Sequence, residues 1–87
     1  MATVVIKDMK FIPSTVKVAP GEPVNWVSEE EDEDMVHTAT ADDGSFDTGN
    51  LKTGQTSKPF PFTKTTSYYC KKHPKSMKGV VEVQVQA

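Results

Sequence analysis

Arginine is absent from this 87-residue chain, cysteine occurs once, and no run approaches the roughly 18 apolar residues that a membrane-spanning helix needs. Each absence excludes something. Lysine is the only fixed cation, ten against twelve acids, so the net charge is -2 and the pI about 5.6. Such a balance gives no basic footprint for nucleic acid. A lone Cys70 rules out an intrachain disulfide, the usual staple of small secreted domains, and leaves a thiol to be accounted for. The N-terminus lacks the charged start and apolar stretch of a signal peptide, so neither a membrane span nor a leader is expected within the sequence, and the residues fit a mature secreted domain without its leader and a cytosolic protein alike. Internal repeats and long linkers are also missing. At 9.6 kDa, with 36% hydrophobic and 25% charged residues, the composition is that of a folded domain, and a single domain over 1–87 is expected.

Apolar residues recur with a period of two: Val4 and Ile6, Val16 and Val18, Val24 and Trp26, Phe60 and Phe62, then Val81, Val83 and Val85 against Glu82, Gln84 and Gln86. This is the pattern of half-buried strands. Turn signals punctuate it at Pro20-Gly21, Asp43-Gly44, Gly49-Asn50, Gly54 and Lys78-Gly79. The reading is all-β, a sandwich or barrel of about seven strands over 3–8, 14–18, 23–28, 36–41, 56–62, 66–70 and 79–86. The stretch 42–55 carries the weakest pattern. Six consecutive acids, Glu29 to Asp34, read as a solvated loop.

One segment concentrates chemistry. Tyr69-Cys70-Lys71-Lys72-His73-Pro74-Lys75-Ser76-Met77 brings a thiol, an imidazole and a thioether into eight residues, all soft or borderline metal ligands. Taken singly, each has a plainer explanation: a strand-end cysteine is a small hydrophobe, a histidine a surface or satisfied core group, a methionine packing. Together, in a Cys-x2-His-x3-Met loop after a strand, they outweigh it. His37, in a strand-like segment, completes the set if antiparallel pairing brings it beside the loop. Two imidazoles and a thiolate in a plane with a weak axial thioether are the ligand field of a blue-copper electron-transfer site. A copper carrier or resistance protein would use the same four ligands. A Cys70–His73 nucleophilic pair finds no third orienting group and little room for a cleft. Zinc suits the His2Cys set but is poorly served by a thioether.

The chain resembles a cupredoxin of the plastocyanin, pseudoazurin and amicyanin group. The matching stretches are Val4-Val5-Ile6 through Phe11-Ile12-Pro13, Val18-Ala19-Pro20-Gly21-Glu22-Pro23-Val24-Asn25-Trp26, Val36-His37-Thr38, and Tyr69-Cys70 through Val83. The resemblance implies a Greek-key β-sandwich of about seven to eight strands. It implies one type 1 copper ion, Cu(I) or Cu(II), held by His37, Cys70, His73 and, less tightly, Met77. It also implies electron transport rather than catalysis, a monomer, and a periplasmic or otherwise extracytoplasmic location with the signal peptide outside this sequence. Two departures stand out. Three residues separate His73 from Met77, where plastocyanins and pseudoazurins usually have four and amicyanins two. Thr38 follows the first histidine where many relatives have Asn, whose side chain helps tie the two ligand loops together.

Charge placement predicts the partner. Lys71, Lys72, Lys75 and Lys78 crowd the ligand loop while Glu29 to Asp34 precede His37, so the molecule is expected to be a dipole. An acidic redox protein docking near His73 is favoured. His73, beside Pro74, should present an imidazole edge at the surface, with His37 deeper. Tyr69 alternates away from Cys70 and reads equally as a second point of electron entry or as packing. Met9 and Met35 read as packing or exposed residues rather than ligands.

Overall fold

The computed structural model describes residues 1–84, so the part of the last expected strand at 85–86 lies outside the described residues. Ten strands form: β1 (Ala2–Lys7), β2 (Lys10–Ile12), β3 (Thr15–Val18), β4 (Pro23–Ser28), β5 (Val36–His37), β6 (Thr40–Ala41), β7 (Leu51–Lys52), β8 (Phe60–Pro61), β9 (Thr66–Tyr69) and β10 (Lys78–Val83). No helix occurs among the described residues, so none is long and apolar enough to cross a membrane.

The strands make an all-β sandwich. One sheet has the order β2-β1-β4-β8, the other β3-β10-β9-β6, and β5 pairs with β7 in a small third sheet. The chain crosses between the two large sheets from β2 to β3, from β3 to β4 and from β8 to β9, and two of the central pairings are parallel: β1 with β4 from Ala2–Val24 to Ile6–Ser28, and β10 with β3 from Val80–Thr15 to Val83–Val18. Alternation along these strands decides which side chains face inward. Val4 and Ile6 of β1, Val24 and Trp26 of β4, Tyr68 of β9 and Val81 of β10 are all buried. Trp26 is the hub, stacked on Phe46 at 5.0 Å between ring centroids and meeting Tyr68 edge-on at 5.3 Å and Phe62 at 6.1 Å. Tyr68 lies across Gly79, its partner on β10, where a β-carbon would run into the phenol ring.

Seven expected strands became ten because of how the segments pair. The first strand turns back at Asp8-Met9 and pairs with Lys10–Ile12, a stretch outside the expected strands. The expected strand 36–41 is two short pieces, because β5 pairs with β7 and β6 with β9. Of 56–62 only Phe60–Pro61 is a strand; Thr56 makes an isolated bridge to Val27, and Ser57 exchanges hydrogen bonds with Trp26 through its amide and hydroxyl. The weakly patterned 42–55 holds β7 and the Thr40–Asp47 bridge.

Candidate metal centre

The two segments singled out in the sequence meet at one end of the sandwich. β9 delivers Cys70, and a tight loop returns the chain to β10. Hydrogen bonds from His73 N to Cys70 O (3.1 Å), Met77 N to His73 O (3.0 Å) and Cys70 N to Met77 O (3.0 Å) close that loop on itself. His37 arrives on β5. Its Nδ1 lies 3.8 Å from Cys70 Sγ, and His73 Nδ1 lies 3.7 Å from the same sulfur, with all three ligand atoms within 4.8 Å of one another. This is the one such cluster of three among the described residues. His37, Cys70 and Met77 are buried and His73 is half-buried.

A first-row metal fits between these atoms. Metal–sulfur and metal–nitrogen bonds of about 2.3 and 2.0 Å, spread by about 120°, put S and N about 3.7 Å apart. Both sulfur–nitrogen separations are of that size. Both imidazoles turn Nδ1 inward, and a thiol with two imidazoles, in a loop that also buries the Met77 thioether, is the donor set of a copper site.

The supporting contacts explain why the donors converge. Thr38 N points at Cys70 Sγ (3.5 Å), and Thr38 Oγ1 accepts from Lys71 N (2.9 Å), so the threonine stitches the His37 segment to the Cys70 loop. Its hydroxyl proton is then free for Thr40 Oγ1 at 3.2 Å, which itself donates to Asp47 Oδ1 at 3.1 Å. Asp47 Oδ2 receives Lys71 Nζ at 2.6 Å and closes the ring. Burial works against the charged Asp47, but Lys71, the Gly49 amide and the Thr40 hydroxyl outweigh it and hold the carboxyl below its ordinary range. Lys71 is raised in turn by hydrogen bonding to Asp47. Asp47 and Thr40 had no signal in the sequence that set them apart from other loop residues.

The acidic run is not uniformly solvated, which corrects the expectation for it. Glu29, Glu31, Asp32, Glu33 and Asp34 are exposed, but Glu30 is 6% exposed. Its Oε2 lies 2.6 Å from His37 Nε2, and its two oxygens accept the amides of Asp8 (2.7 Å) and Met9 (3.0 Å). Burial pushes the carboxyl up, yet the hydrogen bonds from His37, Met9 and Asp8 prevail and its pKa is lowered. A signal for Glu30 did exist: it continues the inward parity of Val24, Trp26 and Ser28 along β4. Met9 packs partly against the core, as expected, and Tyr69 is half-buried beside the thiol strand.

A family model described as copper binding proteins, plastocyanin/azurin family, matches residues 1–84. No curated protein sequence matches. Among solved structures, the copper-containing nitrite reductase of Thermus scotoductus is similar with a TM-score of 0.85 and 26% identity over 99% of this chain. This chain spans only 23% of that enzyme's length. Amicyanin from Paracoccus versutus is similar at 27% identity and TM-score 0.77, covering 95% of this chain and 80% of its own. A purple cupredoxin from Nitrosopumilus maritimus shares the fold at TM-score 0.80 and 21% identity, over 97% of this chain and 100% of its own.

Proposed function

Because the chain belongs to the plastocyanin/azurin family of copper-binding proteins, we propose that it is a one-domain electron carrier over residues 1–87. It cycles one copper ion between Cu(II) and Cu(I) and catalyses no reaction of its own. The observation that carries this reading is unequal burial: His37, Cys70 and Met77 are sealed in the sandwich, while His73 alone of the four is half-buried. A sequestering protein has no need of one ligand edge at the surface, whereas a carrier must pass its electron through one.

In this reading His37 and His73 bind through Nδ1 and Cys70 through Sγ, with Met77 as the weaker fourth donor. When bound, the metal supplies a one-electron couple whose Cu(I) state is favoured by the soft sulfur ligands. The protein's part is to keep the donors in one arrangement for both oxidation states. The loop hydrogen bonds among Cys70, His73 and Met77 and the Thr38 stitch supply that rigidity, and the buried face excludes water. Line broadening in mixtures of reduced and oxidised protein measures the electron self-exchange rate. Fast exchange is expected. Slow exchange, with distinct site structures in the two states, would instead make the protein a copper carrier or resistance protein.

The partner is a redox protein that approaches His73, and its contact surface is acidic. Lys71 is neutralised locally by Asp47, which leaves Lys72, Lys75 and Lys78 as exposed cations of the ligand loop. Beside them, Ile12 is 48% exposed and shares a groove with Pro13, Ser76 and Lys78, so the charged rim borders an apolar contact. Replacing Lys72 and Lys75 with glutamine is expected to slow association with an acidic redox partner about tenfold at low salt and to flatten the salt dependence. The visible spectrum should not change. An unaltered rate and slope would move docking elsewhere, with the exposed acids between Glu29 and Asp34 as the face for a basic partner. The protein acts as a monomer outside the cytoplasm in this reading.

A further inference from the structure

Glu30 is the one acid of its run that points inward, and three donors converge on it. The β1–β2 hairpin turns through Asp8 and Met9, both with positive φ (52° and 57°), a conformation that favours Gly or Asn and is uncommon for methionine. Two successive residues in this conformation aim their amides into one concavity, an anion-binding nest. The Glu30 carboxylate occupies it, and its Oε2 also meets His37 Nε2. A hairpin turn at the far end of β1 is thereby connected to a metal ligand through one side chain.

We propose that Glu30 is a positioning residue of the metal centre that fixes the protonated nitrogen of His37 and favours the oxidised metal by its charge. An ionised carboxylate has acceptors only, so the shared hydrogen belongs to Nε2. That leaves the Nδ1 lone pair facing Cys70 Sγ, the orientation metal binding requires. The nest amides prevent the carboxylate from swinging away, and its burial leaves the charge little screened by solvent. A fixed negative charge behind one ligand stabilises Cu(II) more than Cu(I).

This inference rests on the copper-carrier reading, and Glu30→Gln separates the two. The amide keeps the size and one acceptor but removes the charge. The copper(II)-loaded variant is expected to keep the intense visible band while its preference for Cu(II) over Cu(I) falls about tenfold, an upward shift of about 59 mV in potential for a one-electron couple. A retained band with an unshifted potential would overturn the role of Glu30 and leave the carrier reading standing. A wild-type protein that gives no such band would remove the carrier reading itself. A second measurement needs no variant: in the Cu(I)-loaded wild type, the His37 Nε2 proton should be a slowly exchanging imidazole resonance in nitrogen-15 spectra. A rapidly exchanging or absent proton there overturns the clamp, even if Glu30→Gln fails to fold.

Discussion

Cys70→Ser is expected to abolish the intense visible absorption of the copper(II)-loaded protein. The band arises from charge transfer between thiolate and metal, and Cys70 is the chain's only thiol, within 3.8 Å of both imidazole Nδ1 atoms. Serine occupies a similar space, but its hydroxyl is a harder donor with no low-energy electrons to transfer. Met77→Leu provides the contrast, because it would remove the proposed thioether donor while leaving His37, Cys70 and His73 in place. Its band should survive and its potential should rise. Absorption spectra of the two variants, recorded side by side, check both outcomes. A full band in Cys70→Ser would mean that the sulfur is not a ligand.

Trp26→Ala is expected to remove a large part of the metal-free protein's stability. A domain of this length has about 4–13 kcal/mol of stability in total. Deleting a buried indole costs about 3–5 kcal/mol once the cavity is counted. Trp26 is wholly buried and bridges the sheets through Phe46, Phe60, Phe62 and Tyr68, so little around it can collapse into the gap. The thermal midpoint of the apo variant should drop by about 12–40 °C, using about 4–8 °C per kcal/mol for a domain of this size. Copper at a thousandfold excess over its dissociation constant returns about 4 kcal/mol, because the ligand atoms converge only in the folded chain. The variant should therefore recover most of its midpoint on metal addition. A metal-free variant melting within a few degrees of wild type would show that the aromatic cluster does not hold the two sheets together.

Much of this arrangement was legible in the residues, for a definite reason. Strands β1, β3, β4 and β10 are each packed on one face, so burial prints a period of two directly into Val4-x-Ile6, Val16-x-Val18, Val24-x-Trp26 and Val81-x-Val83. The Cys70-to-Met77 loop was legible because its chemistry is local: three ligand types in eight residues need no knowledge of the fold to attract notice. What escaped was set by long-range pairing. Whether 36–41 is one strand or two depends on β7 and β9, which lie elsewhere in the chain. Glu30 was read with its charged neighbours, although its parity with Trp26 and Ser28 points inward. A buried carboxylate becomes tolerable only through amides more than twenty residues away at Asp8 and Met9, and no local pattern announces them. Thr38 stands where many relatives have Asn, a departure visible in the sequence. That it accepts from the Lys71 amide and leads through Thr40 to Asp47 required coordinates.

The parallel pairing of β10 with β3 also bears on how the protein is made. β10 lies between β3 and β9, so the second sheet has no centre until Lys78–Val83 arrives. On a ribosome, β1 to β4 and His37 emerge first and must wait for that last strand, since pairings between distant segments form slowly and carry a large loop-closure cost. Cys70, His73 and Met77 sit immediately before it and are gathered as it docks. Metal capture is therefore a late event in the life of each chain. It takes place after synthesis has passed Val83, and the Cys70 thiol, buried in the folded chain, is sheltered only once β10 has docked.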